Sequence, residues 1–201
     1  MIEAIWGEHK SIEQIIEILK RLEALGQMTL VTRIGKEKAE KLTNLFESAI
    51  FHADARCLTL GKPFSEDLIE EVIILSGGTS DLVVASEAEL ALRWHGIKTR
   101  LLLDVGVSGL HRLLSQLDSL KKAKVLIACA GMEGALPTVL AGLIPQPVIG
   151  VPISVGYGVS AGGRAALEGM LASCSPGLVV VNIDNGYGAA MAALRILKSF
   201  K

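Results

Sequence analysis

Aromatic side chains are scarce, with two tryptophans, two tyrosines and four phenylalanines among 201 residues, so the interior has to be built from aliphatic groups. Neither sign of charge is in excess: 20 Lys and Arg stand against 21 Asp and Glu. No block of Lys and Arg dominates any segment, which argues against a nucleic-acid partner. No apolar run reaches the roughly 18 residues of a membrane span. The opening MIEAIWGEHK lacks the basic start and apolar stretch of a secretory signal, so neither a span nor a signal peptide is expected. The three cysteines, Cys57, Cys129 and Cys174, are odd in number and far apart, with no C-x-x-C pair. That pattern fits a reduced, cytoplasmic setting rather than a disulfide framework. His9, His52, His95 and His111 show no ligand spacing, and no metal site is expected.

What is present is a chain that is 50% hydrophobic and long enough to bury most of its apolar surface. Residues 11–25, SIEQIIEILKRLEAL, repeat apolar side chains at helical spacing, and Ser11 with Gln14 has the spacing of a capping box. MTLVT (28–32) reads as a strand, KEKAEKLTNLFES (36–48) as a helix and RCLTLGKP (56–63) as a strand. Residues 1–65 are therefore expected to form a small α/β appendage, with a second unit over 66–201.

From about Glu71 five apolar strands alternate with helical segments: strands at 72–76, 99–104, 123–130, 147–151 and 178–183, helices at 81–95, 108–120, 133–141, 163–172 and a last one ending near Lys198. Strand–helix alternation of this length implies a parallel sheet covered on both faces, a three-layer doubly wound α/β fold. Each strand ends in a polar or glycine-rich turn: SGGTSD (76–81), DVGVS (104–108), AGMEG (130–134), PISVGYGVSAGG (152–163) and NIDNGYG (182–188). Ligands of open parallel sheets bind at the carboxyl ends of the strands, so the site is expected on that rim.

Each turn carries a chemical reading and a plainer one. Ser76, Gly77, Gly78, Thr79, Ser80 and Asp81 offer main-chain amides at a helix start, suited to a phosphate or ribose, or form an ordinary capped turn. The loop with Ser154, Gly156, Tyr157 and Gly158 exceeds the usual strand–helix connection of about 2–6 residues, which favours ligand contact, with Tyr157 as a stacking surface. Glu133, between two glycines beside Gly131 and Met132, is either a general acid/base or a charge at the next helix start. Asp104 has the same two readings. Cys129 lies in an apolar strand and reads as core, and Cys57 has no chemical company. Cys174 follows a helix, where the dipole does not activate a thiol. Its residues leave open a nucleophile or a buried helix-end cysteine beside Asn182, Asp184, Asn185 and Gly186.

The run Ser76–Gly188 resembles N5-carboxyaminoimidazole ribonucleotide mutases in its SGGTSD turn. AGMEGALPTVLAGL, VPISVGYGVSAGG and SCSPGLVVVNIDNGYGAA, with IWGEHKSIEQIIEIL, LVTRI and ARCLTLGK upstream, resemble the LarB family more closely. These are pyridinium-3,5-biscarboxylic acid mononucleotide synthases of nickel-pincer cofactor biosynthesis. The likeness spans essentially the whole chain. The purine enzymes carry a histidine in an A-G-x-x-A-H-L-P turn where this chain has Ala135, and their Ala-His-Arg turn is missing. LarB proteins carry a further N-terminal stretch ahead of the segment matching EAIWGEHK.

The resemblance implies a mutase-like, flavodoxin-like fold and a carboxylase that acts on nicotinic acid adenine dinucleotide with CO2 or bicarbonate, then hydrolyses the phosphoanhydride. It implies Cys174 as ring-adding nucleophile, Glu133 as acid/base, Asp104 as a second candidate and the glycine turns as the nucleotide cradle. No tightly bound cofactor is implied. Mg2+ would serve to neutralise phosphate charge, though no motif specifies it. The superfamily implies a homo-oligomer, an octamer. The competing readings are a purine-type carboxylase or mutase, and a nucleotide-binding module without chemistry.

Overall fold

A computed structural model describes residues 2–62 and 70–199. The unit boundary expected at 65/66 falls in residues 63–69, outside the described ones. The first unit contains β1 (Ala4–Trp6), α1 (Ile12–Ala24), β2 (Thr29–Thr32), α2 (Lys36–Leu45), β3 (Ala49–His52) and β4 (Cys57–Leu60). Its sheet has the order β1-β2-β4-β3, with β1 parallel to β2 and the other pairings antiparallel. Helix α1 starts where the capping box places it: the Ser11 hydroxyl accepts from the Gln14 amide and the Gln14 side chain accepts from the Ser11 amide. The short strands β1 and β3 escape a periodicity reading, since three or four residues carry too little pattern. Helix α2 ends at Leu45, short of the expected 48.

Strands β2 and β4 are buried along their full lengths, because both faces of this sheet are covered. Successive side chains point to opposite faces. Val31, Leu58 and Leu60 pack with Ile15, Leu19 and Leu42 of α1 and α2. Leu30 and Cys57 join a separate core shared with the second unit.

That second unit contains β5 (Glu70–Ser76), α3 (Leu82–Trp94), β6 (Lys98–Leu102), α4 (Leu110–Leu114), α5 (Leu117–Leu120), β7 (Val125–Ala130), α6 (Ala135–Leu143), β8 (Val148–Pro152), α7 (Arg164–Leu171), β9 (Leu178–Val180) and α8 (Gly186–Ser199). Its strands lie in the order β6-β5-β7-β8-β9, all parallel. This is the expected doubly wound, flavodoxin-like arrangement. The direction of winding reverses between β5 and β7, which opens a crevice beyond their carboxyl ends. One face packs against α3 and α8 and the other against α4 to α7.

Two expected elements of this unit depart most from the pattern. The helix over 108–120 breaks into α4 and α5, where the Ser115 and Ser119 hydroxyls donate to the Arg112 and Gln116 carbonyls, a competition that weakens short helices. The strand over 178–183 stops at Val180, after which the Asp184 amide donates to the Pro152 carbonyl and folds the chain across the end of β8.

The first unit packs against the second. Ala55, Leu30 and Cys57 are buried together with Val84, Ala88 and Ala91 of α3. The Ile2 amide donates to His95 Nε2 at 3.0 Å and the Tyr187 hydroxyl to the Ile2 carbonyl at 3.3 Å. The two sheets thus share α3 as a common wall, and the first unit is held beside the carboxyl rim of the second.

Candidate active site

Two adjoining clefts open on that rim, and both include Ser80 and Val155 in their walls. The first, of about 250 Å³, sits at the switch point between β5 and β7. It is lined by Gly77, Gly78, Ser80 and Asp81 after β5, Gly106 to Ser108 after β6, and Gly131, Met132 and Glu133 after β7. Main-chain approach dictates the glycines here. A Cβ on Gly106 would stand 2.4 Å from the Gly77 carbonyl oxygen, and one on Gly131 would stand 2.5 Å from that of Val155. Asp81 is buried, with its Oδ2 accepting from the Gly78 amide at 2.8 Å and its Oδ1 from the Ser80 hydroxyl at 3.3 Å. Burial pushes its carboxyl above the usual range, against the pull of those hydrogen bonds. It fixes the turn whose glycines face the cleft.

The second cleft, of about 240 Å³, lies between the two units. Ser154, Asp184 and Glu87 come from the doubly wound unit; Glu8, Arg33 and Arg56 come from the first. Arg33 follows β2 and Arg56 precedes β4. Because these strands run antiparallel, both arginines stand at one end of the sheet, where the Ile34 amide donates to the Arg56 carbonyl at 2.8 Å. The Arg33 Nη2 donates to the main-chain oxygen of Asp184. The Asp184 Oδ1 accepts from the Ser154 amide at 2.8 Å. Glu87, on α3, is buried, and its Oε2 accepts from the Tyr187 amide at 3.1 Å. Burial raises its carboxyl pKa, offset in part by that amide and by Arg33.

Five non-glycine residues of the described chain adopt left-handed backbone: Arg33, Arg56, Asp104, Met132 and Asp184. Each such conformation costs about 1–2 kcal/mol. Four of the five line the clefts and the fifth is two residues from Gly106, so the strain is gathered at the rim, where functional sites retain it.

Of the residues singled out from sequence, Gly77, Gly78, Ser80, Asp81, Gly131, Met132, Glu133, Ser154 and Asp184 line one or other cleft. The others serve the rim from outside these linings. Ser76 is fully buried, and its hydroxyl accepts from the Asp104 amide at 3.3 Å. Asp104 is exposed and paired with Arg112 at 2.7 Å, which engages its carboxylate in an ion pair. Thr79 is exposed in the turn. Asn185 caps α8 by accepting from the Gly188 amide, and Asn182 accepts from the Ile183 amide. Gly186 is buried against Val84 and Glu87, where a Cβ would meet the Val84 carbonyl at 2.3 Å. In the 154–163 loop, Tyr157 is 77% exposed, and neither it nor Gly156 or Gly158 is in the clefts' lining.

Cys174 is exposed, in the connection between α7 and β9. In a parallel sheet a helix-to-strand connection lies at the amino ends of the strands, away from the rim, and Cys174 lines neither cleft. The other two thiols are buried. Burial pushes Cys57 up to about 12, and Cys129 is raised further by burial and the nearby carboxylates of Asp81, Glu87 and Asp184.

The residues that sequence reasoning passed over are Glu8, Arg33, Arg56 and Glu87. Their joint placement depends on docking of the two units, for which no local pattern exists.

Comparison with known proteins accords with this architecture. Residues 71–201 match the AIR carboxylase family and residues 1–62 match the LarB/PurE-like N-terminal domain. An uncharacterized protein of Methanocaldococcus jannaschii is 40% identical over 206 residues, covering 98% of this chain and 78% of that protein. The N5-carboxyaminoimidazole ribonucleotide mutase of the same organism is 36% identical over 136 residues, covering 63% of this chain and 78% of the mutase. Among solved structures, PurE of Treponema denticola superposes with a TM-score of 0.55 at 24% identity, over 65% of this chain and 81% of that one. With its rim clefts formed by the turns of the matched unit and by the domain ahead of it, the chain belongs to the AIR carboxylase family.

Proposed function

We propose that the protein carboxylates the pyridinium ring of nicotinic acid adenine dinucleotide and hydrolyses the phosphoanhydride, giving pyridinium-3,5-biscarboxylic acid mononucleotide and AMP. The observation that carries the reading is the pairing of a LarB/PurE-like domain over 1–62 with an AIR carboxylase unit whose β7–α6 turn has Ala135 where the purine enzymes have histidine. A purine-type mutase reading draws support from relatives bearing that name, and Ala135 weighs against it.

The chemistry makes separate demands. A pyridinium ring is electron-poor and does not attack CO2. A thiolate that adds to the ring donates an electron pair and leaves a neutral enamine, whose C5 then forms the new bond to CO2. Loss of the C5 proton to a base and expulsion of the thiolate restore the aromatic cation, now with a second carboxylate. Cysteine suits the first step because it adds and leaves readily, and Cys174 is assigned to it. Glu133, exposed in the glycine-lined cleft, is assigned as the base. Water then cleaves the phosphoanhydride and AMP departs. The turn at 78–80, which contributes Gly78 and Ser80 to that cleft, is assigned to the mononucleotide phosphate.

Cys174 lies away from the rim of its own copy, so the proposal includes a homo-oligomer, octameric as the superfamily implies, in which the 172–177 loop of one copy meets the rim of another. The test is incubation with the dinucleotide and bicarbonate, with AMP and the dicarboxylated mononucleotide sought by mass spectrometry. Both products are expected from the wild type and neither from Cys174→Ala. Undiminished turnover by Cys174→Ala would remove the thiol from the mechanism, and turnover of an aminoimidazole ribonucleotide alone would replace the reading.

A further inference from the structure

The AIR carboxylase match begins at residue 71, so a protein made of that unit alone would possess the glycine-lined cleft without the arginine wall. Here the clefts adjoin through Ser80 and Val155, making one groove with two lobes of similar volume, about 240 and 250 Å³. The lobes differ in chemistry. The glycine lobe is lined by Gly77, Gly78, Gly106 and Gly131, with Ser80, Ser108 and Glu133 among its polar side chains and, among the described residues, no cation. The other offers what a second nucleotide requires: an apolar wall for a base in Ala55, Val83, Val84 and Ile153, carboxylates for a ribose diol in Glu87 and Asp184, and a cation for a phosphate. One oxygen each of Glu87 and Asp184 accepts a main-chain amide, and a carboxylate has room for further donors.

The two arginines there are not equivalent. Arg33 is committed to the Asp184 carbonyl and half-buried. Among the described residues, the Arg56 guanidinium pairs with Glu8, at 3.9 Å, with the two side chains 49% and 38% exposed. A pair that loose and wet is weak, weaker than a charge-assisted bond to a phosphate oxygen.

We infer that the N-terminal unit is half of the ligand site: its lobe takes the adenylate half of a dinucleotide, with Arg56 exchanging the Glu8 carboxylate for a phosphate oxygen. The choice of dinucleotide rests on the proposed function, while the lobe and its exchangeable cation rest on the geometry.

Calorimetric titration of the full chain with AMP, nicotinic acid mononucleotide and the dinucleotide tests it. Arg56→Ala is expected to weaken AMP and the dinucleotide about tenfold, the loss of one charge-assisted bond, while nicotinic acid mononucleotide stays within about twofold. Glu8→Gln, which releases Arg56, is expected to tighten the dinucleotide, and decides the matter if Arg56→Ala melts abnormally. The inference is overturned if Arg56→Ala leaves AMP binding intact or weakens all three ligands alike, if Glu8→Gln weakens the dinucleotide, or if the wild type binds neither AMP nor dinucleotide. Arg56-dependent AMP binding without carboxylated product would overturn the proposed reaction alone. Product formation with Arg56-independent binding would overturn the lobe assignment alone.

Discussion

The guanidinium of Arg33 donates to the main-chain oxygen of Asp184, joining the turn after β2 to the turn before α8 across 151 residues of sequence. The same charge lies near buried Glu87, where it favours the carboxylate form. One side chain therefore holds the NIDNGYG turn in place and partly neutralises the acid beneath it.

Arg33→Ala removes both effects. A hydrogen bond involving a charged group contributes about 1.5–3 kcal/mol, so unfolding in urea should show a loss in that range with an unchanged slope. The turn that carries Asp184 should also exchange its amide hydrogens faster than in the wild type. Loss of stability without any change in exchange at 182–188 would mean that Arg33 acts elsewhere.

Glu87 gives a pH dependence of definite sign. Its folded carboxyl pKa is raised by burial above the ordinary value of 4.5, so between the two values the native state binds more protons than the unfolded state. Stability due to this group is highest below about 4.5 and falls as pH rises through the folded pKa, because above it a charge is buried. Glu87→Gln retains an oxygen for the Tyr187 amide and carries no charge. Its stability relative to wild type should therefore increase from pH 4 to pH 8 in urea unfolding. A relative stability that falls over that interval would show that Arg33 overcompensates the burial.

The rim was legible in the sequence because each strand of the doubly wound unit is an apolar run with a polar or glycine turn at its carboxyl end. Parallel pairing then brings 77–81, 131–133 and 184 together without further information. Arg33 and Arg56 were not legible. In isolation each is a charged residue beside a short strand, indistinguishable from a solvated one. Their approach depends on the antiparallel pairing of β2 with β4, and their depth on Leu30, Ala55 and Cys57 packing against α3. Cys174 is the opposite case. Strand–helix alternation already implies that a helix-to-strand connection lies at the far end of the sheet, whatever the resemblance of its motif.

Gly106 probes the glycine lobe directly. A Cβ there would stand 2.4 Å from the Gly77 oxygen, backbone against backbone, with no flexible side chain to yield. Gly106→Ala should displace the 77–78 turn and destabilise the fold by about 1–3 kcal/mol, the usual range for overpacking. Nicotinic acid mononucleotide binding should fall further than AMP binding, since Gly106 lines only the glycine lobe. Wild-type stability together with wild-type affinity would show that the turn moves freely.

Cys174 and Glu133 stand at opposite ends of the parallel sheet. Glu133 follows β7 at the rim, whereas Cys174 precedes β9 at the amino ends of the strands, so a site needing both must draw them from different copies. Cys174→Ala and Glu133→Gln should each be inactive alone. Unfolded together and refolded as a mixture, they should regain product formation, because some interfaces then pair an intact thiol with an intact carboxylate. If thiol and carboxylate came from one chain, every mixed assembly would stay inactive, since each chain lacks one of the two. An inactive mixture in which mass spectrometry shows that mixed assemblies formed would therefore rule out the shared site, and recovery would establish that the reacting groups come from two copies.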